Sequence, residues 1–130
     1  MDWQVRKLTG RKAGTRILVV EDEEPVRLLM QHVLLSAGYA VDAVASKAAA
    51  LEKLDAGAYD LLLTDDRLPD GRGVRIADIA QDKGMAAVVI TGYIMQSAAA
   101  DLDRHQHLMK PVRPAELIAA IDRRLQRADC

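Results

Sequence analysis

Three short runs of uninterrupted apolar residues constrain this chain more than any other feature: Ile17-Leu18-Val19-Val20, Leu61-Leu62-Leu63 and Ala86-Ala87-Val88-Val89-Ile90. Each is too short for a helix, and none alternates with polar residues. A strand with one wet face alternates. A run that is apolar at every position is covered on both faces, as in a parallel sheet flanked by helices. Two weaker runs extend the set. Tyr39 to Ala45 reads as an edge strand, with Val41 and either Ala43 or Val44 inward, and His107-Leu108-Met109 reads as a fifth strand.

The segments between the runs have helical signals. Pro25 suits a first helical turn, and Val26, Leu29, Met30, Val33 and Leu34 then mark one apolar face up to Gly38. Ser46 caps a helix running to about Ala56, with Leu51 and Leu54 inward and Gly57 closing it. Val74 to about Gln81 is a short helix carrying Ile76, Ile79 and Ala80. Ser97 to about Arg104 is a short Ala-rich one. From Pro114, Leu117, Ile118, Ile121 and Leu125 define a last amphipathic helix, with Arg123, Arg124 and Arg127 near its C-terminal end, where cations suit the dipole. A strand followed by a helix, five times over, predicts an α/β doubly wound parallel sheet.

The 130 residues fit one domain. With 18 basic against 19 acidic residues, the chain lacks the basic excess of a nucleic-acid-binding domain. No apolar run nears the roughly 18 residues of a membrane span. There is no apolar secretory signal, and the single Cys makes no intrachain disulfide. Both fit a reducing, cytoplasmic setting. Residues 1–15 lack periodicity and carry Arg6, Lys7, Arg11 and Lys12 against Asp2. They read as a basic, mobile leader ahead of a domain at 16–128.

Right-handed crossovers place the carboxyl ends of all parallel strands on one sheet edge. That edge gathers Glu21 and Asp22 from the first strand, Asp65 from the third, Thr91 from the fourth and Lys110 from the fifth. Clustered carboxylates repel; at about 4 Å the Coulomb term is roughly 4 kcal/mol for an effective dielectric near 20. A cation should compensate. Mg²⁺ suits carboxylates plus phosphate oxygens, and Lys110 supplies a further charge. Carboxylates, a divalent cation, a hydroxyl and an ammonium make a phosphoryl-transfer site with Asp65 as nucleophile. Asp66 is the rival acceptor, but strand alternation aims it at the opposite face. His32, His105 and His107 lack a metal-ligand spacing. Neither a P-loop nor a dinucleotide-binding glycine fingerprint is present.

Four segments, in order, resemble the bacterial two-component response-regulator receiver domain (CheY-like): Ile17-Leu18-Val19-Val20-Glu21-Asp22-Glu23, Asp60-Leu61-Leu62-Leu63-Thr64-Asp65 with Leu68-Pro69-Asp70-Gly71, Val89-Ile90-Thr91-Gly92, and Lys110-Pro111. The resemblance spans about Thr15 to Arg127. It implies the flavodoxin-like (βα)5 fold with strand order 2-1-3-4-5. It also implies transfer of a phosphoryl group from a histidine kinase or histidine phosphotransfer protein to an aspartate. By position, Asp65 resembles the phosphoacceptor and Asp22 a direct Mg²⁺ ligand. Glu21 resembles a ligand acting through water, and Arg67 the residue whose backbone carbonyl faces the metal. Thr91 resembles the switch hydroxyl, Lys110 the family lysine, and Lys110-Pro111 the family's cis peptide.

Three positions depart from the family pattern. Asp66 stands where an apolar residue is common. His107 stands where the family usually has Tyr or Phe as a switch. Only 18 residues separate Thr91 from Lys110, which predicts an irregular or shortened fourth helix. With no output domain read after the final helix, a stand-alone receiver is expected, signalling through an unidentified downstream protein or a phosphorelay, without direct nucleic-acid or membrane contact. A homodimer is left open. Two alternatives are a pseudo-receiver that binds constitutively and an Mg²⁺-dependent phosphohydrolase. The second would want an Asp at position 67, where this chain has Arg.

Overall fold

Each apolar run forms a strand whose alternate residues enter two separate cores. The computed structural model describes residues 14–92 and 105–129. In chain order the elements are β1 (Arg16–Val20), α1 (Glu24–Ser36), β2 (Ala40–Val44), α2 (Lys47–Ala56), β3 (Leu61–Asp65), β4 (Arg67–Leu68), β5 (Gly71–Arg72), α3 (Gly73–Asp82), β6 (Ala86–Thr91), β7 (Gln106–Met109) and α4 (Pro114–Asp129). Five strands form one parallel sheet in the order β2-β1-β3-β6-β7. Counting only these long strands, this is the expected 2-1-3-4-5 order of a flavodoxin-like sheet. The small antiparallel hairpin β4–β5 lies in the loop after β3; nothing in the apolar pattern announces it.

The two cores explain the uninterrupted runs. Ile17, Val19, Leu61, Leu63, Val88 and Ile90 pack with Met30 and Leu34 of α1 and Leu117, Ile121 and Leu125 of α4. Leu18, Val20, Leu62, Ala87 and Val89 pack on the other side with Leu54 of α2 and Ile76, Ala77 and Ala80 of α3. Leu61, Leu62 and Leu63 are all fully buried. At about 2 kcal/mol per buried leucine, this central strand holds both layers to the sheet. A charge at any of the three would be buried whichever way it faced.

The α1 face differs from the expected one in one residue. Val26, Met30, Val33, Leu34 and Ala37 meet the core, whereas Leu29 is 56% exposed. At about 100° per residue, Leu29 lies roughly 80° from the centre of that stripe. It is apolar in sequence but sits beyond the stripe's edge. In α3, Ile79 likewise stands at the surface.

Helix ends follow local chemistry. Ser46 Oγ accepts the Ala49 N–H at 3.2 Å, as a capping serine should. A second cap comes from outside the helix: Asp70 accepts the Lys47 and Ala48 N–H groups at 2.8 and 2.9 Å. These bonds, Ala48 first, hold the Asp70 carboxyl below its usual range. Gly38 closes α1 in the left-handed region at φ +102°, whereas Gly57 closes α2 in an extended conformation. Tyr39 donates its hydroxyl hydrogen to Asp122, joining the end of α1 to α4. Among the described residues, no helix is long and apolar enough to cross a membrane. The expected helix at 97–104 and most of the leader, residues 1–13, lie outside the described residues.

Candidate functional site

The sheet register brings the ends of four strands together. Val20 pairs with Thr64, Asp65 with Ile90 and Thr91 with Met109. Past the last pairs the ladder continues for one bond each: Glu21 N–H donates to Val44 O, Asp66 N–H to Ile90 O and Lys110 N–H to Thr91 O. The residues carrying polar chemistry are therefore held by backbone bonds of the sheet itself. The Lys110-Pro111 peptide is cis.

Glu21, Asp22 and Asp65 each offer a carboxylate oxygen within 4.8 Å of the others. Glu21 and Asp65 are buried while Asp22 is exposed, so the cluster meets solvent at Asp22. Lys110 Nζ donates to Asp65 Oδ2 at 2.8 Å and stands 3.8 Å from Glu21 Oε1. Asp65 Oδ1 accepts the Arg67 N–H at 3.3 Å. Glu21 Oε2 accepts the Glu23 N–H at 3.1 Å. The other oxygen, Glu21 Oε1, is buried without a hydrogen bond.

The electrostatics follow from this packing. Burial pushes the Glu21 carboxyl up to about 7; the charge of Asp65 adds to the rise, while the Glu23 N–H and Lys110 oppose it. For Lys110, burial alone would lower the ammonium. The hydrogen bond and charge of Asp65, followed by the charges of Glu21 and Glu23, outweigh burial and hold it above its ordinary value. Among the described residues, one ammonium faces the three carboxyl groups, fewer cations than acids.

The residues present fit a hard divalent cation. Their donors are all carboxylate oxygens, and one of them is buried, lacks a hydrogen bond and belongs to the cluster. Glu21, Asp22 and Asp65 are the side chains that could hold it.

Thr91 is buried at the end of β6 and bound to Lys110 through its backbone carbonyl. His107 lies half-buried in β7, paired in register with Val89. Asp66 departs from Asp65 as strand alternation predicts: its carboxylate turns to α3, where it takes the Val74 N–H at 3.1 Å and the Arg72 guanidinium at 2.6 Å. The extra negative charge beside the site is thus paired.

Three contributors were not evident from the sequence. Arg27 Nη1 donates to Glu21 O at 3.0 Å and Asp22 O at 3.4 Å, so a first-turn arginine of α1 holds the acidic pair's carbonyls. Arg72 pairs with Asp66. Gly73 lies so close to the end of β3 that a Cβ there would meet Asp65 O at 2.0 Å and Thr64 Oγ1 at 2.7 Å. The two glycines of Asp70-Gly71-Arg72-Gly73 signal a turn, but not which one lies against the β3 backbone. His105 is also buried, with Nε2 2.7 Å from Asp78 Oδ1, which ties the residue before β7 to α3.

The family model of the response regulator receiver domain matches residues 17–122. The chain belongs to that family. This receiver domain is similar to CpdR, a response regulator receiver protein of Brucella abortus, at 31% identity over 115 residues, covering 85% of this chain and 96% of CpdR. Among solved structures it is similar to a response regulator receiver protein from Sinorhizobium medicae, with 33% identity and a TM-score of 0.80, covering 88% of this chain and 96% of that one. It is also similar to the response regulator TrrA from Thermotoga maritima, solved in complex with Mg²⁺-BeF, with 27% identity and a TM-score of 0.76, covering 84% of this chain and 97% of TrrA. The chain spans about half the length of several transcriptional regulatory proteins that it matches.

Proposed function

We propose that this receiver accepts a phosphoryl group on Asp65 from a phosphohistidine, on a histidine kinase or a phosphotransfer protein, and signals through protein contacts or by passing the group on. The observation that carries this reading is the bond from Lys110 Nζ to Asp65 Oδ2 at 2.8 Å, at the point where three carboxylates converge. In the transfer, an Asp65 oxygen attacks phosphorus, the phosphorus–nitrogen bond breaks, and the imidazole keeps its electron pair and takes a proton from solvent.

Each residue has a role in that step. Lys110 holds the Asp65 carboxylate and can follow the incoming phosphoryl oxygens. The Arg67 N–H holds the other Asp65 oxygen. Thr91, one strand away, would donate its hydroxyl hydrogen to a phosphoryl oxygen and switch with it, and His107 on the neighbouring strand would stand for the family's aromatic switch. Asp22 and Asp65, with Glu21 through water and the Arg67 carbonyl, would hold Mg²⁺, whose charge would neutralise the phosphoryl oxygens. The acyl phosphate carries about −1.5 to −2 charges where the carboxylate carried about −1, beside two existing acids, and its phosphoryl oxygens are new acceptors that can bias a two-state arrangement.

The unit responsible is residues 16–128, with 1–15 as a basic leader. Its role is that of a signalling phosphoacceptor in the cytoplasm, catalysing only its own modification. The downstream protein and any homodimer partner are left to experiment. The test is incubation with Mg²⁺ and acetyl phosphate, followed by intact mass, for the native chain and Asp65→Asn. One phosphoryl adduct on the native chain and none on the variant is expected. No adduct on the native chain would favour a constitutive binding module. An adduct on the variant would move the acceptor, first to Asp66.

A further inference from the structure

Asp66 and Arg72 have no role assigned in the transfer above, yet they form a densely bonded pair beside Asp65. Asp66 Oδ1 accepts from Arg72 Nε at 3.2 Å and from the Val74 N–H at 3.1 Å. Asp66 Oδ2 accepts from Arg72 Nη2 at 2.6 Å and from Nε at 3.2 Å. The backbone of Asp66 is held as well: its N–H donates to Ile90 O at 2.8 Å, and its carbonyl accepts the Gly73 N–H at 2.8 Å. Residues 67–72 therefore form a loop closed at its neck, where Arg67 pairs with Arg72.

The peptide joining residues 66 and 67 links this neck to the reacting carboxylate. Its carbonyl is Asp66 O, held by Gly73. Its N–H is that of Arg67, which donates to Asp65 Oδ1 at 3.3 Å. A peptide group is planar, so holding the carbonyl also aims the N–H. The Arg72 fork and the Val74 N–H hold Asp66 against the start of α3, which places the Gly73 N–H on the Asp66 carbonyl. With Lys110 on Oδ2, the two oxygens of Asp65 are then gripped from opposite ends, and the carboxylate cannot rotate freely.

We infer that Asp66 and Arg72 are positioning residues for phosphoryl transfer, holding the 66–67 peptide so that its N–H orients the Asp65 carboxylate. This rests on Asp65 being the phosphoacceptor. It also accounts for an acid at position 66: an apolar side chain there could pack but could not cap Val74 or engage Arg72. Arginine suits position 72 because its planar fork meets both carboxylate oxygens, whereas a lysine offers a single point charge.

The test uses the full chain with Mg²⁺ and acetyl phosphate, comparing native protein with Arg72→Lys, Asp66→Asn and the double variant Asp66→Asn/Arg72→Gln. Initial rates over a range of donor concentrations separate the maximal rate from half-saturation, and thermal unfolding sets an assay temperature at which each variant is folded. The maximal rate is expected to fall about tenfold or more in each single variant, with half-saturation little changed, since a misplacement near 1 Å costs up to about a hundredfold. The double variant, in which two amides can pair, is expected to be no slower than the slower single variant. A purely structural role would lower the unfolding temperature and leave the maximal rate of the folded variants at the native value, and that result overturns the inference. If Asp66→Asn does not fold, Arg72→Lys, which keeps the charge and loses only the fork, decides the matter alone. A native chain that takes no phosphoryl group removes the phosphoacceptor reading and this inference together, whereas a reactive native chain with equally reactive variants removes this inference only.

Discussion

Gly73→Ala should slow phosphorylation of Asp65 although it replaces none of the cluster's charged residues. A Cβ at position 73 would lie 2.0 Å from Asp65 O and 2.9 Å from Asp65 C, whereas real Cβ contacts essentially never fall below 3.0 Å. The obstacle is backbone, so no rotamer change relieves it. The start of α3 or the end of β3 must move by about 1 Å. Overpacking of this kind costs about 1–3 kcal/mol. Alanine's better helix propensity returns at most about 1 kcal/mol, leaving a net loss of about 0–2 kcal/mol in urea denaturation if that return is complete. The rate should suffer more, because a shift of about 1 Å in the reacting group can cost roughly a hundredfold. The assay is the time course of the phosphoryl adduct by intact mass at saturating Mg²⁺ and acetyl phosphate. Gly57→Ala is the control: its nearest neighbours would be 3.7 Å away and its φ is −144°, so stability should stay within about 0.5 kcal/mol and the rate should not change. Native-like stability and rate in Gly73→Ala would refute the steric reasoning.

Mg²⁺ should stabilise the fold by about 3 kcal/mol at a hundred times its dissociation constant. Chelation should reverse the gain, and Asp22→Asn should reduce it, as read by thermal unfolding with and without the metal. Tyr59→Phe removes the hydroxyl bonded to Asp42 Oδ2 at 2.6 Å and should cost about 1–2 kcal/mol at neutral pH. The Tyr59 hydrogen bond, the largest cause, holds Asp42 below the ordinary aspartate value. The stability it contributes is therefore present above that value and lost as pH falls through the lower folded one. Urea midpoints of native and Tyr59→Phe chains should converge in acid, and a gap independent of pH would contradict this. Asp70→Ala removes the acceptor for the first amides of α2; hydrogen exchange at Lys47 and Ala48 should quicken, with little change at β3.

Much of the fold was legible because both-face burial leaves a one-dimensional trace. Arg16–Val20 and the apolar residues of β3 and β6 lie where the runs predicted, and their alternate residues divide between two helix layers. Periodicity was less exact at the rim. Leu29 belongs to the apolar pattern of α1 but is solvent-exposed, because hydropathy does not record how far a neighbouring layer reaches.

The sequence by itself determined the parallel α/β sheet and the sheet edge on which Glu21, Asp22, Asp65, Thr91 and Lys110 would lie. Crossover hand alone puts every parallel strand's carboxyl end on one edge, and the alternation of strand and helix is legible locally, whereas the strand order was implied only by the family resemblance. Tertiary structure decided which groups touch: Lys110 on Asp65, Arg27 on the acidic pair's carbonyls, Asp66 on Arg72 and Val74, and His105 on Asp78. It also showed that Gly73 is required by contact with the β3 backbone, not by a left-handed φ. Such contacts depend on where two elements meet to within an ångström. That distance is set by the packing of the whole layer, and no local run of residues encodes it.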